Sequence, residues 1–130
     1  MNVCLYMRVA RKDAEEENNI FREQEELLRR YARENDYTVK DVVCDIGSGL
    51  NMDREGIIEI LNASSDEYEI VMAKDVSRIS RNPIDVLKWV ELLEQNGKRL
   101  VTADGSYERF VEQSKLLQSR FGDIMTTGGK

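Results

Sequence analysis

Four arginines, two carboxylates and several hydroxyls fall in three polar stretches, each following an apolar run. Arg8 lies at the end of the first, in YMRVA (Tyr6–Ala10). Asp45 and Ser48 follow the second, with Arg54 a little later. Lys74, Asp75, Ser77, Arg78, Ser80 and Arg81 follow the third. A guanidinium is a planar, permanently charged fork that matches phosphate oxygens. Arg78 and Arg81 are three apart, so a helical turn would point them the same way. They immediately precede Asn82-Pro83, a cap residue followed by proline. That pair marks a helix start, where free backbone N–H groups favour an anion. The chemistry these residues suit is the holding of a phosphoryl group. Solvated arginines in exposed loops are the competing reading, and from residue types alone both stay open.

These side chains need a frame, and the apolar pattern supplies one. Asn2–Met7 reads as a first strand, Tyr37–Cys44 as a second, Tyr68–Lys74 as a third and Arg99–Ala103 as a fourth. A helix is expected from Asn18 to about Asn35, with Ile20, Phe21, Leu27, Leu28, Tyr31 and Ala32 at helical spacing. Asp45–Met52 reads as a loop, and Asp53 as the cap of a helix through Ile57, Ile58, Ile60 and Leu61. A further helix starts at Pro83, carries Val86, Leu87, Val90 and Leu93, and closes at Gly97. Tyr107–Phe121 reads as a last, less regular helix before a loose tail. Strands alternating with crossover-length helices imply an α/β, three-layer fold: a mostly parallel sheet of four to five strands with helices on both faces. In such sheets ligands gather beyond the carboxyl ends of the strands, where all three polar stretches fall.

Other features carry less. Gly47–Gly49 lacks GxGxxG spacing and reads as a turn. Gln24 falls on the apolar face of its helix, and a buried amide needs partners. Either the backbone satisfies it, or it reaches the loop after the first strand and holds Arg8 or a substrate. The acidic run Asp13–Glu17 reads as a solvated loop and helix start, and Trp89 as packing.

With 130 residues, 34% of them charged and 41% hydrophobic, one solvated domain with one core is expected. The net charge of −6 argues against nucleic-acid binding by bulk electrostatics. Any such contact must come from a local cluster or from another part of the protein. Cys4 and Cys44 read as buried, reduced thiols. With no histidine and no CxxC, no metal or cofactor is expected, and imidazole-based catalysis is excluded. No apolar run is long enough to span a membrane, so a cytoplasmic location is expected.

At this point the motifs resemble a known family. YMRVA is similar to the YxRVS opening of serine recombinases, the resolvase/invertase group. REQEELLRRYA (Arg22–Ala32) resembles their glutamine-bearing first helix, and CDIGSGLNMDREGI (Cys44–Ile57) their D-x-x-S-G followed by D-R-x-G-hydrophobic. KDVSRISRN (Lys74–Asn82) resembles their DRLSRN segment, and NGKRLVTAD (Asn96–Asp104) the strand after their long helix. The resemblance implies the resolvase-like fold and site-specific DNA recombination, in transposon or phage settings, without metal. A serine would attack the scissile phosphate, leaving a 5′-phosphoserine link and a free 3′-hydroxyl. Arginines would stabilise the transferring group. Arg8, Arg54, Arg78 and Arg81 would be that set. Asp45 and Ser48 would line the site, Gln24, Lys74 and Ser77 would support it, and Tyr6 would sit beneath the loop.

Three departures follow. Ala10 stands where the nucleophile would be, and a methyl group cannot attack phosphorus. Ser77 stands where many members have aspartate, removing a charge partner for the arginines. The last helix is short and polar for a dimer-forming helix. The expected organisation is a catalytic domain over residues 1–121, a loose tail over 122–130, and no DNA-binding domain. The expected partners are DNA, bound weakly by this domain alone, and other copies of the chain in a dimer or tetramer. Ala10 has two possible origins: a replaced serine in a catalytic domain, which the retained arginines favour, or a natural nuclease-dead relative acting as a dimerisation or regulatory partner. A nucleotide- or phosphate-binding switch domain is a third reading, disfavoured by the missing GxGxxG and acidic metal cluster.

Overall fold

The computed structural model describes residues 1–113, 115 and 116. Strand β1 (Asn2–Val9) leads into α1 (Ala14–Glu34), β2 (Thr38–Ile46), α2 (Glu55–Asn62) and β3 (Ile70–Ala73). A 3-10 turn (Val76–Arg78), α3 (Pro83–Gln95) and β4 (Arg99–Thr102) follow. A last helical stretch begins at 106.

The four strands form one sheet in the order β2-β1-β3-β4, with every pairing parallel. Strand alternation sorts β1 between two cores. Val3, Leu5 and Met7 pack with Leu28 and Ala32 of α1, and with Ile70, Met72 and Val101. Cys4 and Tyr6 face the other way, toward Ile57 and Ile60 of α2 and Val86, Trp89, Val90 and Leu93 of α3. The chain steps one way from β1 to β2 over α1, then the other way over α2 and α3. Crossovers of one hand require that reversal to place α1 opposite α2 and α3. The reversal leaves a switch point between β1 and β3, and the loops that carry Arg8, Arg78 and Arg81 flank it.

Several boundaries differ from the sequence reading. β1 runs two residues further because Arg8 and Val9 are buried and pair with Asp45 and Ile46. α1 starts four residues earlier than expected. Asp13 caps it by accepting from the Glu16 N–H, and Glu15–Glu17 complement the positive helix end. Asp53 does not cap α2. Arg54 holds the cap position without a side-chain bond, and Asp45 supplies the acceptors instead, as described below. Cys44 is exposed, pointing outward from the edge strand β2, while Cys4 is buried; both are free thiols. Asn82 caps α3 by accepting from the Ile84 N–H, Pro83 follows it, and Gly97 turns the chain at φ 76°. The expected end of the last helix and the tail over 122–130 lie outside the described residues. Among the described residues no helix is long and apolar enough to cross a membrane.

Candidate active site

Arg8 closes the end of β1 and is only 3% exposed. A buried guanidinium must find acceptors, and three backbone carbonyls from two loops provide them. Arg8 Nη1 donates to Gly47 O at 2.9 Å, Nη2 to Ser77 O at 3.0 Å and Nε to Arg78 O at 3.2 Å. Its fork therefore ties the β2–α2 loop to the segment after β3. Arg8's own carbonyl accepts from Gln24 Nε2 at 3.1 Å and from Arg78 Nη1 at 3.3 Å. Gln24 thus reaches the end of β1, but it holds Arg8 by its backbone.

Asp45, on the neighbouring strand position, is the organising carboxylate. Its Oδ1 accepts from the Gly56 N–H at 2.8 Å, and its Oδ2 from the Ile57 N–H at 3.2 Å and the Tyr6 hydroxyl at 2.8 Å. It caps α2 from ten residues upstream, at the helix end where negative charge is favoured. Tyr6 is fully buried. Burial raises its hydroxyl pKa, Arg54 opposes that, and the bond to Asp45 adds to it, so Tyr6 stays a donor. The Arg54 guanidinium lies 6.0 Å over the Tyr6 ring and donates to Ser48 O and Ile79 O.

The arrangement packs positive charge closely. Burial lowers the Arg8 pKa, and the nearby Arg54, Arg78 and Arg81 lower it further. Arg78 Nε lies 3.7 Å from Asp75 Oδ2, and Ser77 Oγ donates to Asp75 Oδ1. Asp75 therefore supplies a carboxylate that Ser77 cannot. Arg54 Nε and Arg78 Nε are buried without hydrogen-bond partners among the described residues. Arg81 is exposed, while its backbone N–H is anchored on Gly49 O at 2.9 Å.

Not every expected residue is central. Ser48 is exposed, and its hydroxyl accepts from the Leu50 N–H, an internal turn bond. Lys74 lines a separate cavity of about 230 Å³ with Gln24, Leu27 and Arg78. Ala10 is exposed, two residues beyond Arg8 at the carboxyl edge.

Two glycines escaped the residue-type reading. A Cβ on Gly49 would lie 3.0 Å from both Arg8 Nη2 and Arg81 Cγ. One on Gly56 would lie 2.6 Å from Val43 Cγ1 and 2.7 Å from Asp45 Oδ2. Both sit inside quoted motifs, GSG and DREG, and that was the available signal.

Clustered guanidinium groups at the switch point of a parallel sheet make this an α/β domain with an anion-favouring edge. The chain belongs to the resolvase family: the family described as "Resolvase, N terminal domain" matches residues 3–126. It is similar to the catalytic domain of IS1535 TnpA, an IS607-like serine recombinase, at 31% identity and a TM-score of 0.62, over 78% of this chain and 70% of that one. The fold is also that of the N-terminal catalytic domain of TP901-1 integrase, at a TM-score of 0.76 and 21% identity over all of both chains. A protein of Acanthamoeba polyphaga mimivirus named as a resolvase, L103, is 29% identical over 66 residues. That match takes in 50% of this chain but 35% of the mimivirus protein, about a third of its length.

Proposed function

We propose that this chain is the catalytic domain of a site-specific DNA recombinase in which the strand-cleaving position is Ala10, so that it engages a DNA phosphate without breaking the strand. The observation that carries this reading is the set Arg8, Arg54, Arg78 and Arg81 gathered around the end of β1, with Arg8 two residues before Ala10. In the full reaction a serine oxygen would form a bond to the scissile phosphorus while the bond to the 3′ oxygen breaks. The serine proton would be lost and the 3′ oxygen would gain one. A methyl group at position 10 offers neither the oxygen nor the proton.

The residues divide the work. Arg81 is exposed and would meet a phosphate first, with the partly buried Arg78 after it. Arg8 and Arg54 stand behind them, fixed by carbonyls, and contribute charge to the site. Asp45, Tyr6 and Gly56 hold the N-terminus of α2, and with it Arg54. Attack requires reacting atoms within about 3–3.5 Å and aligned, so a serine at another position does not easily take the place of one at position 10. Self-association to a dimer or tetramer belongs to the same reading, as does weak DNA binding by a domain of net charge −6.

The test supplies a hydroxyl. Ala10→Ser in the full-length protein should give a covalent protein–DNA adduct, and the unaltered protein none. An adduct from the unaltered protein would overturn the reading.

A further inference from the structure

Beside the arginine cluster lies an open groove of about 600 Å³ between the segment after β3 and the last helical stretch. Its lining includes Ser77, Arg81, Ser106, Arg109, Phe110 and Gln113, but not Ala10, Arg8 or Arg54. In a chain of net charge −6, the described residues lining it include two arginines and no carboxylate. Both arginines are exposed, Arg81 held by its backbone and Arg109 by one nitrogen of its guanidinium. Arg81 is anchored through its backbone N–H on Gly49 O, and Arg109 Nη1 donates to Asp104 O at 2.9 Å. The walls are tied together, since the Val76 N–H donates to Ser106 Oγ at 3.0 Å. Phe110 presents a half-buried aromatic surface between hydroxyl and amide groups.

Two spaced cations, an aromatic face and neutral polar groups match a chain of phosphates carrying flat bases. We propose that this groove seats the DNA strand running on from the phosphate held at Arg81, with a neighbouring phosphate at Arg109 and a sugar or base edge against Phe110. The proposal rests on the reading of Arg81 as a phosphate ligand and extends it to a second subsite.

The experiment measures binding of a fluorescent DNA duplex to the protein at low ionic strength and along a salt series. Arg109→Ala should weaken binding roughly threefold at low salt and lower the magnitude of the log–log salt slope by about 1. Arg109→Lys should restore most of both. A photo-crosslinking amino acid in place of Gln113 should capture DNA. If Arg81→Ala weakens binding while Arg109→Ala does not, the groove is overturned and the phosphate site stands. If neither matters, or if the unaltered protein binds no DNA, both readings fall. Crosslinking of Gln113 to a second copy, and not to DNA, assigns the groove to self-association and overturns the proposal.

Discussion

Gly56→Ala sets two effects of opposite sign against each other. Gly56 is the second residue of α2, where alanine would ordinarily stabilise a helix by about 0.5–1 kcal/mol. Here the added methyl would stand 2.6 Å from Val43 Cγ1 and 2.7 Å from Asp45 Oδ2, far inside contact distance. Overpacking a tight site costs about 1–3 kcal/mol. The displaced carboxylate would also strain its bonds from Gly56 N–H, Ile57 N–H and the Tyr6 hydroxyl, leaving buried donors worth about 1–3 kcal/mol together. The clash wins, with a net loss of about 2–4 kcal/mol. Urea unfolding should show a lower midpoint at unchanged slope, and the melting temperature should drop by roughly 10 °C. Adding Val43→Ala should recover only part of the loss, because it leaves the contact with Asp45 in place. A Gly56→Ala protein as stable as the parent, or more so, would refute the role given to Asp45 as the cap of α2.

Arg8→Lys keeps the charge but not the fork that bonds three carbonyls, so it should destabilise the protein by about 2–3 kcal/mol in denaturant titration; a neutral effect would show that the fork is dispensable. Burial pushes the Cys4 thiol up to about 12, from an ordinary value of 9.0. Between those values the unfolded chain holds fewer protons than the folded one, so this group makes stability fall as pH rises from about 9 to 12 and leaves it flat below. Thermal melts across that range check the slope, which Cys4→Ala should reduce. A water-soluble thiol reagent should modify exposed Cys44 in the native protein and reach Cys4 only on unfolding.

The layered frame was readable because its signals are local. Apolar runs, helical spacing and the Asn82-Pro83 start each depend on neighbours a few residues away. What the sequence concealed depends on distance. Arg8 reads as the polar end of a strand, yet it is buried, because its acceptors come from Gly47, Ser77 and Arg78, far along the chain. Asp53 looked like the cap of α2 by proximity, whereas the parallel register of β1 and β2 places Asp45 at that helix end. Cys44 looked buried because its neighbours are apolar, but alternation on an edge strand turns it outward between buried Val43 and Asp45. The arginine positions were legible as types. Their division into carbonyl-bound Arg8 and Arg54 and outward Arg81 was not, since only the folded loops decide which donors are already taken.

In the proposed reading, a phosphate-handling site is assembled around a position that lacks its nucleophile. Its most direct test is mass spectrometry of the Ala10→Ser full-length protein after incubation with its DNA. The expected product is a nucleotide-bearing peptide linked through the introduced serine, abolished by adding Arg81→Ala, with no linked peptide from the unaltered protein. An Ala10→Ser protein that binds DNA but forms no such link would contradict it.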